Sequence, residues 1–310
     1  MKKLTLIMTT LLLLLMTGCS LEPPEWAKPK EAANLKDIKI GLSISTMNNP
    51  FFVSLKDGVV AEAKKQGIQV IVADAQNDSA KQSNDVEDLM QQGVNALLIN
   101  PTDSSAISTT IESANTSNIP VITLDRSADK GDVKTLVASD NVEGGRMAAR
   151  YLVEHAGKGA KVIELEGVPG ASATRERGKG FHEVADKELK VIAKQAADFD
   201  RTKGLNVMEN LLQGNPDVQA VFAHNDEMAL GAIQAIESSG KNIPVIGFDG
   251  NEDALQSIKE GKLTATVAQQ PELIGQLAVQ AAKDVLQGKT VKKSIPAKLK
   301  LVDQTKEQSK

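Results

Sequence analysis

The chain has 310 residues, one cysteine, and 36 basic against 40 acidic side chains, for a formal net charge of −4. A lone cysteine excludes an intramolecular disulfide, and a mildly acidic surface argues against a nucleic-acid partner. The length suffices for two domains of ordinary size.

Residues 1–18 read as an export signal rather than as fold. Lys2 and Lys3 give a basic start, residues 4–16 are an apolar run, and Thr17-Gly18-Cys19 is a small-residue cleavage region. The run is shorter than the about 20 apolar residues a permanent span needs. A single Cys after such a segment resembles the lipobox of bacterial lipoproteins, with Met16 where that pattern usually has Leu. The resemblance implies cleavage before Cys19, a diacylglyceryl-Cys19 membrane anchor and a place at the outer face of the cytoplasmic membrane. Two acyl chains hold a protein to a bilayer where one does not. An ordinary secreted protein with an incidental Cys is the alternative. Residues 19–36 read as the lipidated N-terminus and a tether, with Pro23, Pro24, Pro29 and the only Trp, Trp26. Removing 18 residues from 310 leaves 292, and losing Lys2 and Lys3 takes the net charge from −4 to −6.

From residue 38 short apolar runs alternate with helical patterns. Strands are predicted at 38–44, 70–73, 96–99, 121–124 and 135–138, with helices at 51–66, 79–92 and 104–117 between them. Gly67 and Gly93 stand where helix C-caps belong. The rhythm restarts with strands at 161–165, 191–194, 220–223, 245–248 and 264–268. Helices are predicted at 143–156, 172–185, 202–213, 226–239 and 252–260. A last helix at 272–287 and a strand near 297–302 close the chain. Such βαβ repetition predicts an α/β fold, two doubly wound parallel-sheet units in tandem with a first boundary near residues 139–140.

The chain is organised around Asn48-Asn49-Pro50-Phe51-Phe52, at the end of the first strand. Pro50 suits the first turn of a helix. The two Phe fit either a packed helix start or, with Asn49, one wall of a site, because open α/β sheets bind ligands outside the carboxyl ends of their strands. The other predicted strand ends carry Asp125-Arg126, Asp198-Phe199-Asp200-Arg201, His224-Asn225-Asp226, Asp249-Gly250 and Gln269-Gln270, and the loop after 161–165 leads to Arg175-Glu176-Arg177. Carboxylates, guanidinia and amides are planar forks that can each bridge two neighbouring hydroxyls. Phe51, Phe52, Phe199 and Phe248 lie among them, while Phe181 and Phe222 do not. Polar forks with aromatic plates are the chemistry a small polyol requires. Taken singly, Asp125-Arg126 also fits a local salt bridge or cap, Asn225-Asp226 an N-cap, Asp249-Gly250 a turn, and Arg175-Glu176-Arg177 a solvated helix face.

No catalytic or cofactor motif emerges. Ser45-Thr46-Met47-Asn48-Asn49 stands where a Rossmann glycine loop belongs, and no Walker lysine motif or nucleophile elbow is present. His155, His182 and His224 lack metal-ligand spacing; the first two read as helix-surface residues, while His224 lies near the proposed crevice. Asp125 and Asp249 fit a general acid–base pair in principle, but a lobed, anchored chain without a nucleophile suits binding better.

Residues 45–58, Ile99-Asn100-Pro101-Thr102-Asp103, Ile122-Thr123-Leu124-Asp125-Arg126, residues 223–231 and Gly247-Phe248-Asp249-Gly250 together resemble the ribose-binding proteins. These are the substrate-binding components of bacterial ribose ABC importers, in the periplasmic binding protein-like sugar-binding family. The resemblance covers about residues 38–302. It implies the type I fold, two Rossmann-like lobes joined by a three-strand hinge, with lobe 1 at 37–139 plus 270–298 and lobe 2 at 140–269 plus 299–310. By position the family's sugar contacts fall on Asn49, Phe51, Phe52, Asp125, Arg126, Arg177, Phe199, Asn225, Phe248, Asp249 and Gln269, each with the family's residue type. His224 stands where the family has Gln. The implied partners are ribose or a related monosaccharide and the transmembrane subunits of an ABC permease, with the protein a monomer needing no cofactor or metal. The same fold with allose, xylose, galactose or a furanosyl signalling molecule is the alternative. A galactose-type calcium loop is not evident. A sugar-responsive repressor needs an N-terminal DNA-binding helix pair where this chain has signal and tether.

Overall fold

The computed structural model describes residues 38–307. The expected export signal, Cys19 and the tether lie outside the described residues.

The chain runs β1 (Lys39–Ile44), α1 (Pro50–Lys65), β2 (Gln69–Asp74), α2 (Ser79–Gln91), β3 (Ala96–Ile99), α3 (Ser108–Thr116), β4 (Val121–Leu124) and β5 (Val133–Ser139). It continues through α4 (Asn141–Ala156), β6 (Lys161–Glu166), α5 (Ser172–Glu188), β7 (Lys190–Ala196), α6 (Arg201–Gly214), β8 (Ala220–Ala223), α7 (Asp226–Ser238), β9 (Val245–Asp249), α8 (Glu252–Lys259) and β10 (Ala265–Ala268). The last elements are α9 (Pro271–Leu286), β11 (Ser294–Ala297), β12 (Lys300–Asp303) and α10 (Gln304–Glu307).

Among the described residues the strands form two six-stranded sheets, ordered β2-β1-β3-β4-β5-β11 and β7-β6-β8-β9-β10-β12. Neighbours are parallel except β10 and β12. Strands β3, β4 and β8 are buried along their whole length, which is why they read as continuous apolar runs rather than as alternation. In the second sheet Phe181 and Phe222 stack at 4.6 Å on the α4–α5 side, and Met208, Met228 and Ile233 fill the other side. In the first sheet Val86, Leu89 and Ile111 pack under β3 and β4, while α1 and α9 pair closely on the other face. The α1–α9 contact needs small residues: a Cβ on Gly58 would stand 2.2 Å from the Glu272 carbonyl oxygen.

The backbone passes between the sheets at three places, 139–141, 269–271 and 298–299. The single closing strand expected near 297–302 is thus two strands in different sheets. Exposed Lys298 and half-buried Leu299 form the crossing, where the Lys298 carbonyl accepts from Gln270 Nε2 at 2.9 Å. Pro296, which has no N–H to donate, sits in β11 at the sheet edge, where Pro is tolerated. The helix expected from 104 begins only at Ser108, after a turn in which Asp103 Oδ1 accepts from the Ser105 and Ala106 amides. Gly67 and Gly93 follow α1 and α2 at φ of 72° and 74°, as C-cap positions require.

Both sheets have the 2-1-3-4-5 order, so their topological switch points and strand carboxyl ends are equivalent. The two sets of carboxyl-end loops meet. Ser104 N donates to the Gly170 carbonyl at 3.0 Å, and Ser127 N donates to Ser172 Oγ at 2.9 Å.

Candidate functional site

The site begins at the end of β1. Asn49 caps α1 by accepting the Phe51 amide on Oδ1 at 2.9 Å, with Pro50 at the first helical position. Phe51 and Phe52 are buried and meet edge to face at 5.2 Å. The helix-start and site-wall readings are therefore compatible: the cap turns Phe52 toward Arg126, whose guanidinium carbon lies 5.0 Å from the ring centre.

At the end of β4 the backbone turns sharply, with Asp125 at φ 61°, an uncommon conformation for a residue with a side chain. Asp125 Oδ2 stands 3.6 Å from Arg126 Nε, and Arg126 Nη1 donates to the Pro101 carbonyl at 3.0 Å. Across the cleft the Phe199 ring lies 5.2 Å from the same guanidinium carbon. Phe199 is itself left-handed (φ 60°), and its ring lies over Gly167, where a Cβ would stand 2.0 Å from it.

Arg177 projects from α5. Its Nε donates to Asn141 Oδ1 at 2.9 Å, and its Nη1 donates to the His224 carbonyl. The guanidinium carbon lies 3.8 Å over the Phe248 ring, and Nη1 is 3.7 Å from Asp249 Oδ1. Asp249 sits at φ 121° and accepts from Gln269 Nε2 at 2.9 Å. Asn225 caps α7 by accepting from the Met228 amide, and its Nδ2 donates to the Phe199 carbonyl at 3.2 Å.

The sequence-selected residues thus meet in one cluster, apart from Phe51, which reaches it through Phe52. Asp125, Arg126 and Arg177 are each 3% exposed. Burial raises the Asp125 and Asp249 carboxyls, against the lowering pull of the arginines. Burial also brings Arg126 down to about 10, with Asp125 opposing the shift. The cluster balances two guanidinia against two carboxylates but leaves Asp125 Oδ1, Arg126 Nε and Gln269 Oε1 without a hydrogen-bond partner. A cavity of about 150 Å³ adjoins it, lined in part by Thr46, Asn49, Phe52, Arg126 and Phe199. A cavity of about 300 Å³ between α5 and β7, bordered by Arg175, Lys179 and Lys194, holds none of the selected residues.

Beneath the cluster, Glu164 is fully buried between two imidazoles, with His182 Nε2 and His224 Nε2 each 2.9 Å from its oxygens. Burial alone would raise Glu164; the two imidazole contacts outweigh it and hold the carboxyl at about 2. The same contact, helped by Asp186, lifts His182 to about 9. His182 is therefore not the simple surface residue that its sequence context suggested. Arg175 and Arg177 also part company: Arg175 is exposed and pairs with Asp129 at 2.8 Å, while Arg177 faces inward. Arg201 is taken up by Glu227 and Asp253. Sequence reasoning missed Asn141 and the Pro101 and His224 carbonyls. A helix-opening Asn and backbone oxygens carry no pattern that separates them from ordinary caps and turns. Among the described residues no group of His, Cys, Asp and Glu is arranged to hold a metal, and no helix is long and apolar enough to cross a membrane.

The periplasmic binding protein domain family matches residues 40–290. This chain belongs to that family. Relatives within it include the ribose import binding protein RbsB of Bacillus subtilis, 70% identical over 304 residues, covering 98% of this chain and 100% of the relative. The ribose import binding protein RbsB of Escherichia coli is 55% identical, covering 85% of this chain and 90% of its own length. The D-allose-binding periplasmic protein of E. coli is 33% identical over 84% of this chain and 88% of its own. Among solved structures, a galactofuranose binding protein superimposes with a TM-score of 0.83 at 30% identity, over 88% of this chain and 96% of that one. The myo-inositol-bound Caulobacter protein gives a TM-score of 0.84 at 31% identity, over 94% and 98%. The family implies a solute-binding role at an extracytoplasmic location.

The imidazole–carboxylate network sets a pH dependence. A His182 held above its ordinary 6.5 contributes stability that is complete below pH 6.5 and lost as pH rises through about 9. A Glu164 held below its ordinary 4.5 contributes stability that is complete above pH 4.5 and lost toward about 2. Replacing His182 by Gln is expected to cost most stability between pH 4.5 and 6.5, with the deficit shrinking up to about 9. Urea unfolding of both proteins across that range checks this; a deficit that does not change with pH would contradict it.

Proposed function

We propose that this chain captures D-ribose in the cleft between its two lobes and delivers it to an ABC permease. The observation that carries the reading is the buried cluster itself, in which both lobes present charged forks and aromatic rings at the carboxyl ends of their strands. Asp125 and Asp249 accept from sugar hydroxyls. Arg126 and Arg177 donate, and Asn49, Asn225 and Gln269 complete the set. The rings of Phe52, Phe199 and Phe248 cover the C–H faces, and Phe51, the other ring expected there, packs behind Phe52. The first sheet with 37–139 plus 270–298, and the second with 140–269 plus 299–310, are the bodies that close on the ligand. Closure signals occupancy to the permease.

The similarity to ribose import binding proteins from several bacteria supports ribose over other sugars. Discrimination follows from burial: an epimer with a misplaced hydroxyl loses a hydrogen bond and strands a polar group, at about 1–3 kcal/mol. The role is binding without turnover. The protein acts as a monomer, needs no cofactor, and is held by diacylglyceryl-Cys19 at the outer face of the cytoplasmic membrane after removal of residues 1–18.

Titration calorimetry is expected to show tight one-to-one ribose binding and none with glucose or galactose. Arg177→Ala should weaken ribose by roughly a hundredfold or more, since it leaves Asp249 buried without its cation. Equal affinity across the three sugars would remove the ribose assignment, and an unaffected Arg177→Ala would remove that residue from the site. Fractionation of cells expressing Cys19→Ala should find the protein released from membranes; continued retention would contradict the anchor.

A further inference from the structure

One carboxylate outside the cluster ties three of its loops together. Asp226 opens α7 and is wholly buried. It does not cap its own helix, because Asn225 already does so. Instead Asp226 Oδ2 accepts from the Gly250 amide at 2.7 Å and the Asn251 amide at 2.9 Å, both on the loop after β9. Its Oδ1 accepts from Thr266 Oγ1 at 2.7 Å, on β10. Space for it is reserved by Gly247, where a Cβ would stand 2.2 Å from Asp226 Oδ1.

The three segments joined in this way carry Asn225, Asp249 and Gln269. Asp249 is the residue that most needs support. Its φ of 121° is a conformation that side-chain-bearing residues rarely adopt, and it persists only where the surroundings over-determine it. The surroundings do so: the two amides that follow Asp249 are fixed on Asp226, and the Asp249 carbonyl accepts from the Gln269 amide at 2.8 Å. A sugar contact by Asp249 therefore depends on a carboxylate bound to the amides of the loop that carries it.

We propose that Asp226 is a positioning residue for ligand binding, holding Asn225, Asp249 and Gln269 in their binding geometry without touching the ligand. This rests on the sugar-binding reading above. A residue with a purely structural role would lower the unfolding midpoint and leave the affinity of the folded protein unchanged. Asp226 is expected to act on both.

The test is calorimetry with D-ribose at a temperature where each variant is folded by circular dichroism. Asp226→Ala should weaken binding about a hundredfold, the scale set by losing several buried hydrogen bonds at once. Asp226→Asn keeps an acceptor for the two amides and a donor for Thr266 Oγ1, so it should recover affinity to within about tenfold of the wild type. In an Asp249→Asn background, assayed at high sugar concentration, adding Asp226→Ala should cost less than it does alone, because one of the three contacts that Asp226 holds is already weakened. If Asp226→Ala does not fold, Thr266→Val removes one of the three hydrogen bonds and should still weaken binding about fivefold. Wild-type affinity in Asp226→Ala, no rescue by Asn, or full additivity with Asp249→Asn would each overturn the inference. Failure of the unmutated protein to bind any sugar is the separate result that removes the sugar-binding reading, and this inference with it.

Discussion

A buried guanidinium keeps its charge only if carboxylates, carbonyls and aromatic faces replace the water it has lost. Arg126 and Arg177 are both in this position, each 3% exposed. Removing such an ion from water costs several kcal/mol even after relaxation. The surrounding structure offsets that cost group by group. Asp125 and Asp249 lie 3.6 and 3.7 Å away, the Pro101 and His224 carbonyls accept hydrogen bonds, and rings from Phe52, Phe199 and Phe248 lie within cation–π range. The compensation is incomplete, because Arg126 Nε and Asp125 Oδ1 remain unpartnered. In the proposed function, sugar hydroxyls supply what is missing. Affinity, specificity and closure then share one cause.

The fold serves this arrangement by making two equivalent switch points face each other. Each sheet sends its carboxyl-end loops into the same cleft, so that neither lobe holds a complete set. The first supplies Asp125 and Arg126 and the ring of Phe52; the second supplies Arg177, Phe199, Phe248 and Asp249. Gln269 sits at one of the three crossings between the lobes, and Asn141, which holds Arg177, sits at another. Two of the groups that order the cluster are thus placed at the crossings between the lobes. Backbone strain gathers here too, with Asp125, Phe199 and Asp249 all at positive φ.

Much of this was legible in the sequence, and the reasons are physical. Strands buried on both faces, such as β3 and β8, must be continuous apolar runs, and helices between them must be amphipathic, so alternation alone yields the doubly wound pattern. Residues at strand ends are legible because the topology forces them to one side. Long-range pairings were not legible. Arg175 and Arg177 are two residues apart on one helix and differ only in which way the helix faces, a property set by tertiary packing. Glu164 reads as an ordinary strand residue, and its two imidazoles come from α5 and from the loop after β8. The closing strand was read as one because nothing in residues 297–302 marks a change of sheet. At the crossing Gln270, distant in sequence, meets the Lys298 carbonyl.

In the proposed function, ligand draws the two half-sites together. Small-angle X-ray scattering of the purified protein, with and without saturating D-ribose, tests it most directly. A smaller radius of gyration is expected when ribose is present, and no change with glucose. A radius of gyration unaltered by ribose, under conditions where calorimetry shows the sugar bound, would contradict it.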